Sequence, residues 1–546
     1  MKRRTVRARR LSLVLIALLL SLAAAGAAAA DDYEPVNPPF PDPGFLNPQL
    51  KVTPSDALAH GQTVMVTGRF FGANSENGVL RQCTADRTLC DVQTTPFTTG
   101  HNGEFNPIGE PDMETDPQTI PVPFTVTSSF TAAGGATVNC LATACVLFAR
   151  WANEFEVRAG AHHLNFLFPG AGRYTPLTPA RILDTRLGIG GISAPLAPGA
   201  TAQVQVTGQG GVPATGVSTV VMNVTVTQPT GDGYLTVYPT GSPQPNASNL
   251  NFTPGKTVPN LVVVKLGTNG RVSVFNSTGS THVISDVAGY YSDNGVGNAG
   301  RYQPLVPARI ADTRFGNGSV TLGPGASFDL QVAGAGGVPA TGVQAAVLNV
   351  AVTNTTAVSF LTVYPTGEPR PNASNLNWAS GDTVSNRMMT KLGANGRVTI
   401  FNSSGSTDVI VDVGGWYTDG SQVGRLGTYV PLVPARILDT RLGIGGIAGP
   451  VPANGTVEVQ VTGQGGVPAT GVRAVVLNAT VVGPAGTGYL TIFPTGAPQP
   501  NASDLNYAPG ETRPNLVVVR VGSGGRVSLF TSGATHVLFD VAGWFS

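Results

Sequence analysis

Arg181-Ile182-Leu183-Asp184-Thr185-Arg186 returns as Arg309-Ile310-Ala311-Asp312-Thr313-Arg314 and again as Arg436-Ile437-Leu438-Asp439-Thr440-Arg441. Working outward, other landmarks recur in the same order. Gly211-Val212-Pro213-Ala214-Thr215-Gly216 reappears at 337–342 and 466–471, and each copy opens on a tyrosine, Tyr174, Tyr302 or Tyr429. The shared Asp-Thr-Arg starts at 184, 312 and 439, so the period is 127 to 128 residues. Short solenoid repeats need neighbours to complete a core, whereas a module of this length can bury its own. The reading at this level is three self-contained beads at 173–292, 301–418 and 428–546.

Inside each copy, short runs rich in Val, Thr and aromatics are separated by Gly, Pro and Asn turns. Examples are Ser218-Thr219-Val220-Val221-Met222-Asn223-Val224-Thr225-Val226 and Tyr234-Leu235-Thr236-Val237-Tyr238-Pro239. No helical periodicity of useful length interrupts them. That pattern predicts an all-β chain whose repeats are sandwiches or compact barrels.

Polar residues that recur inside apolar runs are the candidate site residues. Asp286, Asp412 and Asp540 each sit in the closing strand of a copy, flanked by valine. A buried carboxylate needs a partner, and Arg181 or Arg186, with Arg309, Arg314, Arg436 and Arg441, are the natural cations. Calcium binding or catalysis is the alternative use of these acids. Only Asp184, Asp312 and Asp439 supply a second acid in all copies, so the set reads as structural ion pairs. His282 and His536 stand four residues before those aspartates, but the middle copy has Asp408 there. Chemistry that needs a histidine does not survive that exchange, so the histidines read as surface residues. Asn246-Ala247-Ser248-Asn249 recurs as Asn372 to Asn375 and Asn501 to Asp504. Such loops satisfy local backbone as turns. Beside Tyr238, Tyr364 and Phe493, their amides and hydroxyls could also bind sugars, with Asn246, Asn249, Asn372, Asn375 and Asn501 as candidate donors. Sequons at Asn223, Asn276 and Asn478 lie in or beside strands and read as packing. No nucleophile elbow, phosphate-binding loop or histidine common to all copies is present, so no catalytic residue, metal or cofactor is expected.

The amino-terminal end reads differently. Lys2, Arg3, Arg4, Arg7, Arg9 and Arg10 precede the apolar run Leu11 to Leu20 and an alanine-rich end near Ala30. Residues 1–30 therefore read as a secretory signal peptide, with an uncleaved anchor as the alternative and a twin-arginine route open through Arg9-Arg10. The leader holds six basic and no acidic residues, so its removal takes the formal charge from +1 to −5. A mildly acidic chain without a basic cluster argues against nucleic acid as partner, and no later segment is long and apolar enough to span a bilayer. Residues 31–50 are proline-rich and read as an extended spacer. From 51 to 170 the pattern alternates, as in Thr63-Val64-Met65-Val66-Thr67, and this segment holds all four cysteines, Cys83, Cys90, Cys140 and Cys145. In an exported chain these read as two disulfides, with three connectivities open.

The stretch Thr137-Val138-Asn139-Cys140-Leu141-Ala142-Thr143-Ala144-Cys145, with Val52-Thr53-Pro54, Gly61-Gln62-Thr63-Val64 and Gln82-Cys83, resembles the neocarzinostatin family of secreted enediyne-carrying proteins. That resemblance implies an immunoglobulin-like β-sandwich with a ligand cleft. By position, Cys83, Cys90 and Phe130 would flank the cleft, with Trp151 nearby. Residues 173–546 in turn resemble tandem β repeats at the ends of large secreted actinobacterial-type proteins, which implies location more than activity. The expectation is a secreted or cell-surface, non-enzymatic protein. Its three repeats would act as a multivalent binding or spacer array, with cell-wall or extracellular polysaccharide as partner. Carriage of a small apolar ligand by the first domain is the alternative.

Overall fold

The computed structural model is all-β, and its contacts divide it into two compact units, 1–166 and 167–546. It describes strand backbone within the first unit and, in the second, residues 171–293, 298–317, 320–422 and 426–546. The leader 1–30 and most of the proline-rich spacer lie outside the described residues.

In the first unit, Gln49–Thr53, Gln62–Arg69 and Val122–Val126 form one sheet with the short Glu34–Pro35. A six-stranded sheet is centred on Cys145–Ala152, which pairs antiparallel with both Val157–Phe166 and Ser75–Thr84. The alternation at Thr63 to Thr67 becomes the strand Gln62–Arg69, and Val66 is fully buried, as is Leu80 on Ser75–Thr84.

In the second unit each repeat builds two facing four-stranded antiparallel sheets. The inner sheet of the first repeat runs Tyr174–Asp184, His282–Ser292, Val217–Thr227, Val258–Lys265, and the outer one Thr201–Gln205, Arg271–Asn276, Gly233–Pro239, Leu250–Phe252. The other two repeats use the same order. Successive side chains of a strand point to opposite faces. Val220, Met222, Val224 and Val226 accordingly enter the repeat's own core, with Val204, Leu235, Val237 and Val274 from the outer sheet. The residues between them face the other way, and that face is not solvated.

Val221, Leu261 and Val263 of the first repeat join Ala345, Val347 and Met389 of the second and Ala474, Val476, Leu516 and Val518 of the third in a fourth core. At its centre the equivalent rings of Tyr291, Tyr417 and Phe545 form a triangle with every centroid separation 6.4 Å. Each of these also stacks on the opening tyrosine of another repeat: Tyr174 on Tyr417 at 4.5 Å, Tyr302 on Phe545 at 4.3 Å, and Tyr429 on Tyr291 at 4.4 Å. Backbone bonds close the same cycle, linking Gly172 to Tyr429, Tyr174 to Gly300, and Tyr302 to Gly427. The expectation of three separate beads is corrected. The repeats are blades of one propeller-like ring, because an inner sheet apolar on both faces cannot leave one of them in water.

One glycine position shows how tightly the tyrosines seat. A β-carbon added at Gly289, Gly415 or Gly543 would come within 2.5, 2.1 and 2.2 Å of Tyr174, Tyr302 and Tyr429 respectively. The glycine three residues after the recurrent Asp286, Asp412 or Asp540 is thus the floor on which the opening tyrosine lies.

Tyr302→Ala is expected to cost about 3–5 kcal/mol, as for a large aromatic removed from a closed core. Because the ring is shared, denaturant unfolding of 171–546 should remain one transition at a lower midpoint. A separate early transition involving a third of the signal would overturn the shared-core architecture.

Candidate functional site

The recurrent Asn-Ala-Ser loops sit on the seams between repeats. Asn223 Nδ2 of the first repeat donates to the Ser374 carbonyl of the second at 2.7 Å, Asn349 to Ser503 of the third, and Asn478 to Ser248 of the first. Across the same seams Asn260 donates to Asn478 Oδ1 at 2.9 Å, Asn386 to Asn223 at 2.9 Å, and Asn515 to Asn349 at 3.1 Å. This amide ladder pairs polar groups that would otherwise be stranded in the central core.

Of the two uses read for these loops, local turn chemistry and sugar binding, the Asn249 and Asn375 side chains serve the first. Asn249 Oδ1 accepts the Val237 N–H at 2.6 Å and Asn375 Oδ1 accepts that of Val363 at 2.7 Å, so both side chains are spent on their own sheets. Tyr238 and Phe493 are buried, and Tyr364 is half-buried. Asn246, Asn372 and Asn501 are exposed. The sequon residues Asn223, Asn276 and Asn478 are all buried. A turn motif discloses its side-chain types but not which face the fold covers.

Strand register places Arg181 opposite Asp286. Arg181 binds both carboxylate oxygens, Nε to Oδ1 at 2.9 Å and Nη2 to Oδ2 at 3.2 Å, and reaches Asp184 Oδ2 through Nη1 at 3.1 Å. Arg186 closes a second fork on Asp184 at 2.9 and 2.7 Å. The second repeat repeats this with Arg309, Asp412, Asp312 and Arg314, and the third with Arg436, Asp540, Asp439 and Arg441. The two acids of each set are driven in opposite directions. Hydrogen bonds from Arg186 hold Asp184 below the usual carboxylate range, while burial pushes Asp286 up against the pull of Arg181. All four carboxylate oxygens of the first set are engaged by guanidinium groups, which leaves them committed to the fold.

His282 and His536 are half-buried rather than surface residues. Thr185 Oγ1 lies 2.8 Å from His282 Nδ1 and Thr440 Oγ1 lies 3.0 Å from His536 Nδ1, and in the middle repeat Thr313 Oγ1 donates to Asp408 at 2.9 Å. The position supplies a hydrogen-bond partner for a threonine hydroxyl that itself accepts a backbone N–H, from Val283, Val537 or Val409. Either residue type meets that demand.

The ring is not symmetric. Arg387 replaces Leu261 and Leu516, and Asp504 replaces Asn249 and Asn375. The two replacements meet: Arg387 Nη2 donates to Asp504 Oδ1 across the seam between the second and third repeats, and both residues are buried. Arg387 Nε also donates to the Leu516 carbonyl at 3.2 Å.

At one end of the ring the turns 253–257, 379–383 and 508–512 converge on an open cleft of about 470 Å³ lined by all three repeats. Equivalent turn positions carry Lys256, Asp382 and Glu511, with Lys256 Nζ 3.9 Å from Asp382. Burial opposes the Glu511 anion, yet Arg513, at 3.1 Å, holds its carboxyl below the usual range. Sequence reasoning missed this cleft because no single copy contains it.

No family model matches the chain, and no curated protein matches it. Among solved structures, macromomycin is similar at 26% identity over 22% of this chain and 99% of its own, with a TM-score of 0.17. That likeness, to a member of the neocarzinostatin family, is a weak resemblance of fold. A structure described as the triple jelly roll fold and turret assembly in an archaeal virus is similar at 11% identity over 68% of this chain and 90% of its own, with a TM-score of 0.14. Trypsin-activated alpha-2-macroglobulin from Escherichia coli is similar at 12% identity over 89% of this chain and 30% of its own, with a TM-score of 0.16. In the first unit, Cys83 and Cys145 lie on adjacent paired strands, and Phe130 and Trp151 on Ser129–Thr131 and Cys145–Ala152. The cysteine pairing and the cleft side chains lie outside the described residues.

Two predictions follow from the seam chemistry. Arg387→Leu should cost about 3–5 kcal/mol by leaving Asp504 buried and unpaired, and adding Asp504→Asn should recover most of it, since Leu and Asn already meet at the other seams. Burial raises the Asp504 pKa. The folded single variant therefore takes up a proton at higher pH than the unfolded chain, and its deficit should shrink as pH falls through that raised value. Denaturant titrations of wild type, single and double variants check both, and an uncorrected double variant would refute the pairing. Second, residues 171–293 alone carry the matched Leu261 and Asn249 and should assemble as a trimer. The 300–422 fragment would bury three unpaired copies of Arg387 and should not, as sedimentation velocity would show.

Proposed function

We propose that this is an exported, non-enzymatic binding protein of the cell surface or its surroundings, and that its repeat region engages extracellular or cell-wall polysaccharide as one rigid body. The observation that carries the reading is the closed ring. The three repeats spend their equivalent faces on one another, so turns from all three meet in a composite cleft that a string of beads would not form. The basic leader and apolar run support export. The engagement of the recurrent Asp and Arg side chains by one another supports a structural use for them over a catalytic one.

Residues 51–170 fit an immunoglobulin-like sandwich of the neocarzinostatin type with two disulfides, preceding three sandwich-like repeats. The resemblance of Thr137 to Cys145 and its flanking motifs to the neocarzinostatin family supports a second reading, carriage of a small apolar ligand by that first domain. Phe130 and Trp151 would contribute to its cleft.

Full-length mature chain should be retained by purified cell-wall polysaccharide, with a saturating stoichiometry of one soluble oligosaccharide per chain. Three equivalents per chain would restore the multivalent array. No retention on any wall or extracellular polysaccharide, together with binding of an apolar dye quenched by Trp151→Phe, would favour the carrier.

A further inference from the structure

The cleft at the end of the ring is built unequally, and its inequality identifies a ligand class. Its ionic groups cancel: Lys256 faces Asp382, and Arg513 forks onto Glu511. Each acid also accepts a backbone N–H, Asp382 from Ala379 at 2.8 Å and Glu511 from Ala508 at 3.0 Å. Two cations and two anions already matched give no net field to attract a phosphate or a metal cation. A neutral ligand loses nothing by entering.

The wall donated by the second repeat differs from its counterparts. Ser359 replaces Gly233 and Gly488, and its hydroxyl donates to Asn402 Oδ1 at 2.9 Å while accepting the Ser404 N–H at 2.8 Å, which fixes the 403–404 turn at the rim. Phe360, half-buried, gives the wall an aromatic ring, and the buried Trp378 lies behind it in the repeat's core. In the third repeat the residue equivalent to Trp378 is Tyr507, whose hydroxyl is spent on Thr531 at 2.7 Å and Gly533 at 3.0 Å. Trp378 Nε1, in contrast, is buried with no hydrogen-bond partner among the described residues. That donor is covered by the repeat's own core, so the groups of this wall open to a ligand are the Phe360 ring and the polar rim. Asn377 adds an amide to the same wall.

We propose that this cleft is a binding site for a neutral saccharide of one or two rings, seated against Phe360 and hydrogen-bonded by Asn377 and the serine-rich rim. Sugar rings have apolar C–H faces and a hydroxyl periphery, which match an aromatic wall bordered by amides and hydroxyls. The volume of about 470 Å³ falls within the roughly 300–1,000 Å³ of small-molecule clefts. This inference rests on the polysaccharide-binding reading and assigns its site.

The test uses full-length mature protein, isothermal titration with maltose, cellobiose and N,N′-diacetylchitobiose, and retention on cell-wall polysaccharide. Ser404 is exposed at the rim, so Ser404→Trp should fill the cleft without touching a core and lower affinity at least tenfold. Thr278→Trp, at the equivalent exposed turn of the first repeat outside the cleft, should leave affinity within twofold. Circular dichroism and unchanged unfolding midpoints establish that both variants fold. Wild-type binding that Ser404→Trp leaves intact overturns the site while the polysaccharide reading stands. Retention on polysaccharide with no heat from any of the three disaccharides also overturns the assigned ligand class. Absence of both retention and heat overturns site and reading together.

Discussion

The fold depends on one constraint: the inner sheet of each repeat is apolar on both faces. One face closes with the outer sheet into a private core, and the other has no partner within the repeat. A fully buried valine side chain is worth about 1.5–3 kcal/mol, so leaving a row of them in water would consume the stability of a module this size. A linear string would still expose one such face at each end. A closed cycle exposes none, and three copies with 6.4 Å between the axial rings close it.

Closure raises a second demand, because three near-identical faces could pair with the wrong neighbour or with another chain. The amide ladder is common to all seams and gives no order. Order comes from the unique pair Arg387–Asp504, which is satisfied only when the second repeat precedes the third around the ring. Buried ion pairs add little net stability, but an unpaired one is severely penalised. Phe545 acts in the same sense. Tyr291 and Tyr417 join hydroxyls at 2.6 Å, and a third hydroxyl at the axis would have entered a space already spoken for.

How much of this was legible depends on whether one copy contains the partner. The strand runs were readable because their turns and period lie within a repeat. The need of Asp286 for a cation was readable for the same reason, Arg181 being in the same copy. The ring was not, since its contacts join Tyr174 to Tyr417 and Asn223 to Ser374, far apart in sequence. A signal was nevertheless present. Val220 to Val226 is apolar at every even position and at Val221 between them, and the interrupting Asn223 recurs as Asn349 and Asn478, which fits a strand covered on both sides. Asn246 to Asn249 left two uses open because a polar turn looks the same whether it faces solvent or a neighbouring repeat.

The ring also changes the logic of triplication. Linked independent sites gain by effective concentration, and that gain requires each site to reach a ligand on its own. Here the copies share a core, and their gain is preorganisation: the turns that meet at the cleft are held by three private cores and a common one, so a ligand there orders little on binding. Symmetry supplies the rigid rim, and its local breaking at Ser359, Trp378, Lys256 and Arg513 supplies chemistry that three identical copies could not, since three lysines or three acids at one axis would repel. Lys256 and Arg513 diverge where the turns meet solvent, whereas Ser359 and Trp378 diverge inside the second repeat, Trp378 as part of its private core.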